Sequence, residues 1–77
     1  MIEMVEVFKT NVKDQHNAQM LLSLIHQTFH EYKANFDLDD CDNILRVASG
    51  SEFIQAACLI QLLRDFGFNA EVLPDEF

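Results

Sequence analysis

Three groups of residues in this chain have the types and spacing to do chemistry, and each points first to a metal ion. Asp14, His16 and Asn17 fall within one short stretch. A carboxylate and an imidazole there suit a hard or borderline divalent ion. The same residues also start a helix well, since an N-cap Asp accepts from backbone N–H groups and the positive end of the dipole repels a cation. His26 and His30 lie four apart, a spacing that projects both from one helix face and suits Zn or Ni once a third ligand is supplied. They fall away from the apolar stripe, which reads as two solvent-facing histidines. Asp37-x-Asp39-x-Cys41-Asp42 is similar to a calcium loop but has neither its turn-forming Gly nor its bidentate Glu. A hairpin turn accounts for it. No Ser/His/Asp or Cys/His nucleophile set is evident, so no catalytic residue, no cofactor and no enzyme activity are expected.

Composition narrows the partners. Seventy-seven residues make a single domain, 1–77, and a 49% apolar share with seven Phe supplies one core. Thirteen acids against five bases give a net charge of −8. Such a surface repels phosphate backbones and anionic lipid, so neither nucleic acid nor a membrane is an expected partner. No run of eighteen apolar residues and no basic-then-apolar amino terminus is present, so neither a membrane span nor a secretory signal is expected. Cys41 and Cys58 are too few and too far apart for a disulfide framework, and reduced thiols suit a cytoplasmic protein.

These residues must be positioned by six elements. Residues 2–9 alternate around Val5 and Val7 as a strand. Asp14 caps a helix whose apolar residues Ala18, Leu21, Leu22, Ile25, Phe29 and Tyr32 recur at helical spacing. Ala34, Phe36 and Leu38 alternate with Asn35, Asp37 and Asp39 as a second strand, and residues 39–43 turn into a third at Ile44–Ala48. Ser51 is placed to cap a second helix from Phe53 to Phe66, ended by Gly67 in a left-handed conformation. A last strand runs from Phe68 to Leu73, and Pro74 stops it. The order βαββαβ predicts an α+β, ferredoxin-like sandwich: a four-stranded antiparallel sheet with two helices on one face.

Particular residues carry a resemblance beyond the fold. Phe8-Lys9-Thr10-Asn11-Val12, Asn35-Phe36-Asp37-Leu38, Asn43-Ile44-Leu45-Arg46-Val47 and Asp65-Phe66-Gly67-Phe68-Asn69-Ala70-Glu71-Val72-Leu73 resemble the strand and loop blocks of the heavy-metal-associated domain, the fold of copper chaperones. The resemblance covers nearly the whole chain. It implies an apolar loop plug at Val12 and a soft-metal Cys-x-x-Cys at positions 14 and 17. Those positions hold Asp14 and Asn17, hard oxygen donors that cannot reproduce a two-thiolate site for Cu(I). The resemblance therefore implies a retained scaffold without its copper chemistry.

The helices carry the remaining signal. Ala56, Leu59, Ile60, Leu63 and Phe66 form the inward stripe of the second helix. Ile54, Cys58 and Leu62, with Met20 and Leu24 of the first, then fall on flanks where a solvated helix would carry charge. They are the candidate interaction surface. The expected function is a non-enzymatic binding module that contacts a protein partner, or a second copy, through those residues and the acidic surface. The alternative is a metal-binding or metal-transport-related protein using Asp14, His16 and Asn17, with Phe68 shielding the loop as the resemblance implies.

Overall fold

A computed structural model describes residues 4–39, 41–50 and 53–73. Its elements are β1 (Met4–Thr10), α1 (Gln15–Thr28), β2 (Tyr32–Asp37), β3 (Ile44–Ser49), α2 (Ala56–Asp65) and β4 (Ala70–Val72). The strands form one antiparallel sheet in the order β2-β3-β1-β4, the ferredoxin-like arrangement. The thin dimension of the molecule is 19 Å, the depth of one sheet and one helical layer.

Register assigns the faces. Directly opposed residues of an antiparallel pair point to the same side. Phe8 opposes both Leu45 and Val72, and Val47 opposes both Glu6 and Ala34. Phe8, Leu45, Val47 and Ala34 are buried together with Ala18, Leu21 and Ile25 of α1 and Leu59 and Leu63 of α2. Each of the larger chains contributes about 1.5–3 kcal/mol through its removal from water. The opposite sheet face carries Val5, Val7 and Lys9 on β1, Lys33, Asn35 and Asp37 on β2, Arg46 and Ala48 on β3, and Glu71 on β4. Three of the chain's five cations therefore stand on that open face.

Element ends differ from the sequence expectation where distant side chains intervene. The first helix stops at Thr28 rather than near Tyr32. Tyr32 instead opens β2 opposite Ser49, and its ring stacks on Phe29 with centroids 4.7 Å apart. A tight turn, with the Tyr32 N–H donating to the Phe29 carbonyl at 3.1 Å, thus satisfies the same three-residue spacing that a helix would. The second helix begins at Ala56, not Phe53, and its N-cap Gln55 makes no side-chain cap bond. The Tyr32 hydroxyl donates to the Phe53 carbonyl at 3.1 Å and accepts from the Gln55 N–H at 2.8 Å, which holds residues 53–55 out of the helix. Ser51, the expected cap, and residues 2 and 3 of the expected first strand lie outside the described residues, as does Pro74.

The end of α2 follows from Gly67. Its N–H donates to the Arg64 carbonyl at 3.0 Å and the Phe68 N–H to the Leu63 carbonyl at 2.9 Å, the two bonds of a Schellman ending. Half-buried Phe68 packs against the core cluster that contains Leu63, closing the motif. Phe66, expected in the inward stripe, lies beyond the last helical residue and is 48% exposed. The Schellman ending requires a positive φ, and Gly67 has φ +89° with open space where a Cβ would stand. Gly67→Ala therefore strains only the backbone. It is expected to cost about 1 kcal/mol, lowering the thermal unfolding midpoint by about 4–8 °C for a domain of this size. Calorimetry on the two proteins measures this, and an unchanged midpoint would refute the account of α2's end.

Candidate functional site

The loop from Thr10 to Asn17 is tied down by three side chains bonded to backbone, those of Thr10, Asn11 and Asp14. Thr10, at the end of β1, is buried. Its hydroxyl donates to the Asn43 carbonyl at 2.6 Å and accepts from the Val12 N–H at 3.2 Å, while its own N–H donates to the Asp42 carbonyl at 3.2 Å. That fixes the β1 end to the β2–β3 turn, where Asn43 takes the left-handed conformation (φ 49°) that Asn tolerates. The Asn11 side-chain oxygen accepts from the Asn69 N–H at 2.8 Å, tying the loop to the segment after α2. Val12 is fully buried and inserts the loop into the core. Lys9 and Asp42 approach to 3.9 Å with both side chains about half exposed, a pair of little energetic weight. Beside these residues an open cleft of about 330 Å³ is lined by Lys9, Thr10, Asn11, Asn69, Ala70 and Glu71.

Asp14 is the N-cap of α1. Its backbone is extended and its carboxylate accepts from the Asn17 N–H at 3.1 Å. Positions 14 and 17 are thus joined through a carboxylate and a backbone amide. His16 is exposed on the first turn, and Asn17 is half-buried. Among the described residues no three His, Cys, Asp or Glu side chains come together as a potential metal-binding group.

His26 and His30 do not share a helix face. His30 lies in the turn after α1, whereas His26, in the last turn, uses Nε2 to accept the Ala34 N–H of β2 at 3.2 Å. An imidazole expected only to meet solvent therefore serves a strand edge. Asp37 ends β2, Asp39 is exposed in the following turn, and Cys41 is exposed beside half-buried Asp42. These residues form the β2–β3 connection.

On the helical side, Met20, Ile54 and Leu62 are half-buried and pack against the core cluster. Leu24 is also half-buried. Cys58 is exposed, its thiol donating to the Gln55 side-chain oxygen at 3.3 Å. The exposed residues are Gln15, His16, Gln19, Ser23, His26, Gln27 and Thr28 on α1 and Ala57, Cys58, Gln61, Arg64 and Asp65 on α2. The 14 residues of α1 include no Asp, Glu, Lys or Arg, and the charges of α2 are confined to Arg64 and Asp65 in its last turn. One residue escaped sequence reasoning: Phe53 is 78% exposed while the Tyr32 hydroxyl pins the backbone on either side of Ile54. Its apolar character signalled a helix start, and nothing local showed that a distant tyrosine would present it.

Comparisons of the chain with protein-family models, with curated proteins and with solved structures gave no match.

The cap reading of Asp14 has a measurable consequence. Asp14→Ala is expected to destabilise the domain by about 1 kcal/mol, with Asp14→Asn close to wild type because Asn is an equally good cap. Chemical denaturation of the three proteins checks it. Equal stability of the Ala variant and wild type would show that the carboxylate does no capping.

Proposed function

We propose that this domain is a non-enzymatic protein-binding module on a heavy-metal-associated type of scaffold whose first loop has exchanged soft-metal binding for structural capping. The observation that carries the binding role is the charge-poor helical layer. Charged residues make up 23% of the chain, yet the outer face of both helices is almost wholly Gln, Ser, His, Ala and Cys until the last turn of α2. Solvated helices normally carry charge on that face. Interface cores are the surfaces from which charge is depleted and in which aromatics are enriched. Phe53 supplies a protruding ring on a fixed backbone, so little conformational freedom is lost when it is buried by a partner. Acidic turns and edges around the layer would form a polar rim that steers a partner with a cationic border. The loop supports the other half of the reading. Asp14, Asn11 and Thr10 direct their side-chain oxygens to backbone amides, so the loop is ordered by its own hydrogen bonds.

Two measurements test the proposal. Amide shifts of residues 12–18 are expected to stay unmoved on titration with micromolar Zn(II), Ni(II), Cu(II) or, under reductant, Cu(I). Saturable shifts confined to that loop would make it a metal site after all. For the binding role, Ser23→Glu with Gln61→Glu places charge in the middle of both helices at exposed positions, and Arg46→Gln alters the open sheet face. A protein captured from the native extract should survive Arg46→Gln and Phe53-preserving controls and lose about tenfold or more in affinity with the helical pair, as expected when charge enters an interface core. Capture that is indifferent to the helical pair, or lost with Arg46→Gln, would move the docking surface elsewhere.

A further inference from the structure

β2 is an edge strand of six residues, the longer of the sheet's two outer strands. Its outward-facing backbone groups, which do not pair with β3, belong to the even-numbered residues. The Tyr32 N–H reaches the Phe29 carbonyl and the Ala34 N–H reaches His26, so neither points toward β3. Phe36 faces outward by the same alternation. An open edge of this kind is a template for another strand, and proteins close such edges deliberately. Here the closure at Ala34 is an imidazole, and it holds only while Nε2 is unprotonated, because an imidazolium has no acceptor nitrogen.

We propose that the outer edge of β2 is a self-pairing edge: neutral His26 holds it shut, and protonation opens it to antiparallel pairing with β2 of a second copy. The sequence of the strand selects both occupant and register. Hydrogen-bonded pairs in such an assembly must join two outward residues, which excludes one-residue slips. With Ala34 opposite Phe36 of the second copy, Asn35 meets Asn35 at the two-fold axis and Lys33 meets Asp37 twice. Lys33, Asn35 and Asp37 are all exposed on the open sheet face, so these contacts are free to form. Shifting the register by two residues one way sets Glu31 against Asp37, a like-charge pair, and leaves Lys33 against Asn35. Shifting it the other way sets Lys33 against Asp39, beyond the end of the strand. Only the centred register pairs opposite charges inside β2 on both sides of the axis, the arrangement cross-strand energetics favour. The Tyr32 N–H is not needed and keeps its bond to Phe29.

Few charged or titratable groups lie near the gate. His30 lies one turn beyond His26, and Glu31 lies in the connection to β2. Lys33 and Asp37 of β2 project to the opposite sheet face from the buried Ala34 side chain. The described charges of α2, Arg64 and Asp65, sit in its last turn, and residues 53–55 at its start carry none. The pairing uses the sheet edge rather than the helical layer, so it stands independently of the docking surface proposed above.

Sedimentation equilibrium at the two ends of the histidine range, about pH 8 and pH 5, tests the gate and the register together. Wild type is expected to be monomeric at the upper end and dimeric at the lower, and His26→Ala dimeric at both. Asp37→Lys, which sets lysine against lysine twice, should weaken the acid dimer by about tenfold or more. The charge exchange Lys33→Asp with Asp37→Lys should restore it. Lys33→Asp, which opposes two aspartates, serves in place of Asp37→Lys if the latter loses its dispersed amide spectrum. A wild type that stays monomeric at both ends would overturn the proposal. So would an acid dimer that ignores Asp37→Lys or is not rescued by the exchange.

Discussion

A chain of this length has two helices with which to cover a four-stranded sheet, and they cover one face of it. That constraint sorts the other residues. Along each strand the alternation that puts Phe8, Leu45, Val47, Ala34 and Tyr32 under the helices puts Lys9, Lys33, Asn35, Asp37 and Arg46 into solvent. The open face thereby collects cations in an acidic chain, the turns collect acids, and the helices remain nearly uncharged. Buried area alone requires none of the last property. A helix that only had to cover a core would tolerate Lys or Glu on its outer face, where such residues favour helix formation. Their absence from α1 therefore belongs to the surface and not to the fold.

The element order and the sheet were legible in the sequence because each strand alternates with period two and each helix repeats near 3.6. The Asp14 cap and the left-handed Gly67 were legible for the same reason: both are local, and their chemistry is written in one residue. What could not be read was fixed by partners distant in sequence. Tyr32 fits a helical stripe by spacing, yet its hydroxyl reaches residues 53 and 55 and its backbone pairs with Ser49. That one side chain shortens α1 at its end, delays α2 at its start and leaves Phe53 outside. His26 went unrecognised on similar grounds, since its partner is a backbone N–H and backbone groups leave no mark in a sequence. Of the flank residues expected to face a partner, Met20, Ile54 and Leu62 are half-buried and touch the core cluster, and Cys58 is exposed. In so small a domain an off-stripe apolar residue still finds core to touch, so helical-wheel geometry overstates its exposure.

The first loop is held by side-chain oxygens bonded to backbone amides. Thr10, Asn11 and Asp14 each spend a side-chain oxygen on a backbone amide of the loop or its neighbours, and Val12 adds an apolar anchor. Each such bond contributes about 1 kcal/mol net. Together they restrain the chain from the end of β1 to the start of α1. Asp14 is central because its carboxylate completes the cap of α1, and any cation drawn to it would meet the positive end of the same helix.

The sheet's edges show a second economy. Among the described residues β4 spans three, a short template for another strand. β2 is twice as long, and two of its three outward-facing amides are closed, by different acceptors. At Tyr32 the acceptor is the Phe29 carbonyl, which cannot be protonated at any pH the fold survives. At Ala34 it is an imidazole, the one side chain whose acceptor nitrogen is lost on mild acidification. A carbonyl or an amide side chain at position 26 would have closed the edge unconditionally. Closing it with histidine, at the centre of the strand where self-pairing aligns Lys33 with Asp37, makes the same edge a barrier in one protonation state and an interface in the other.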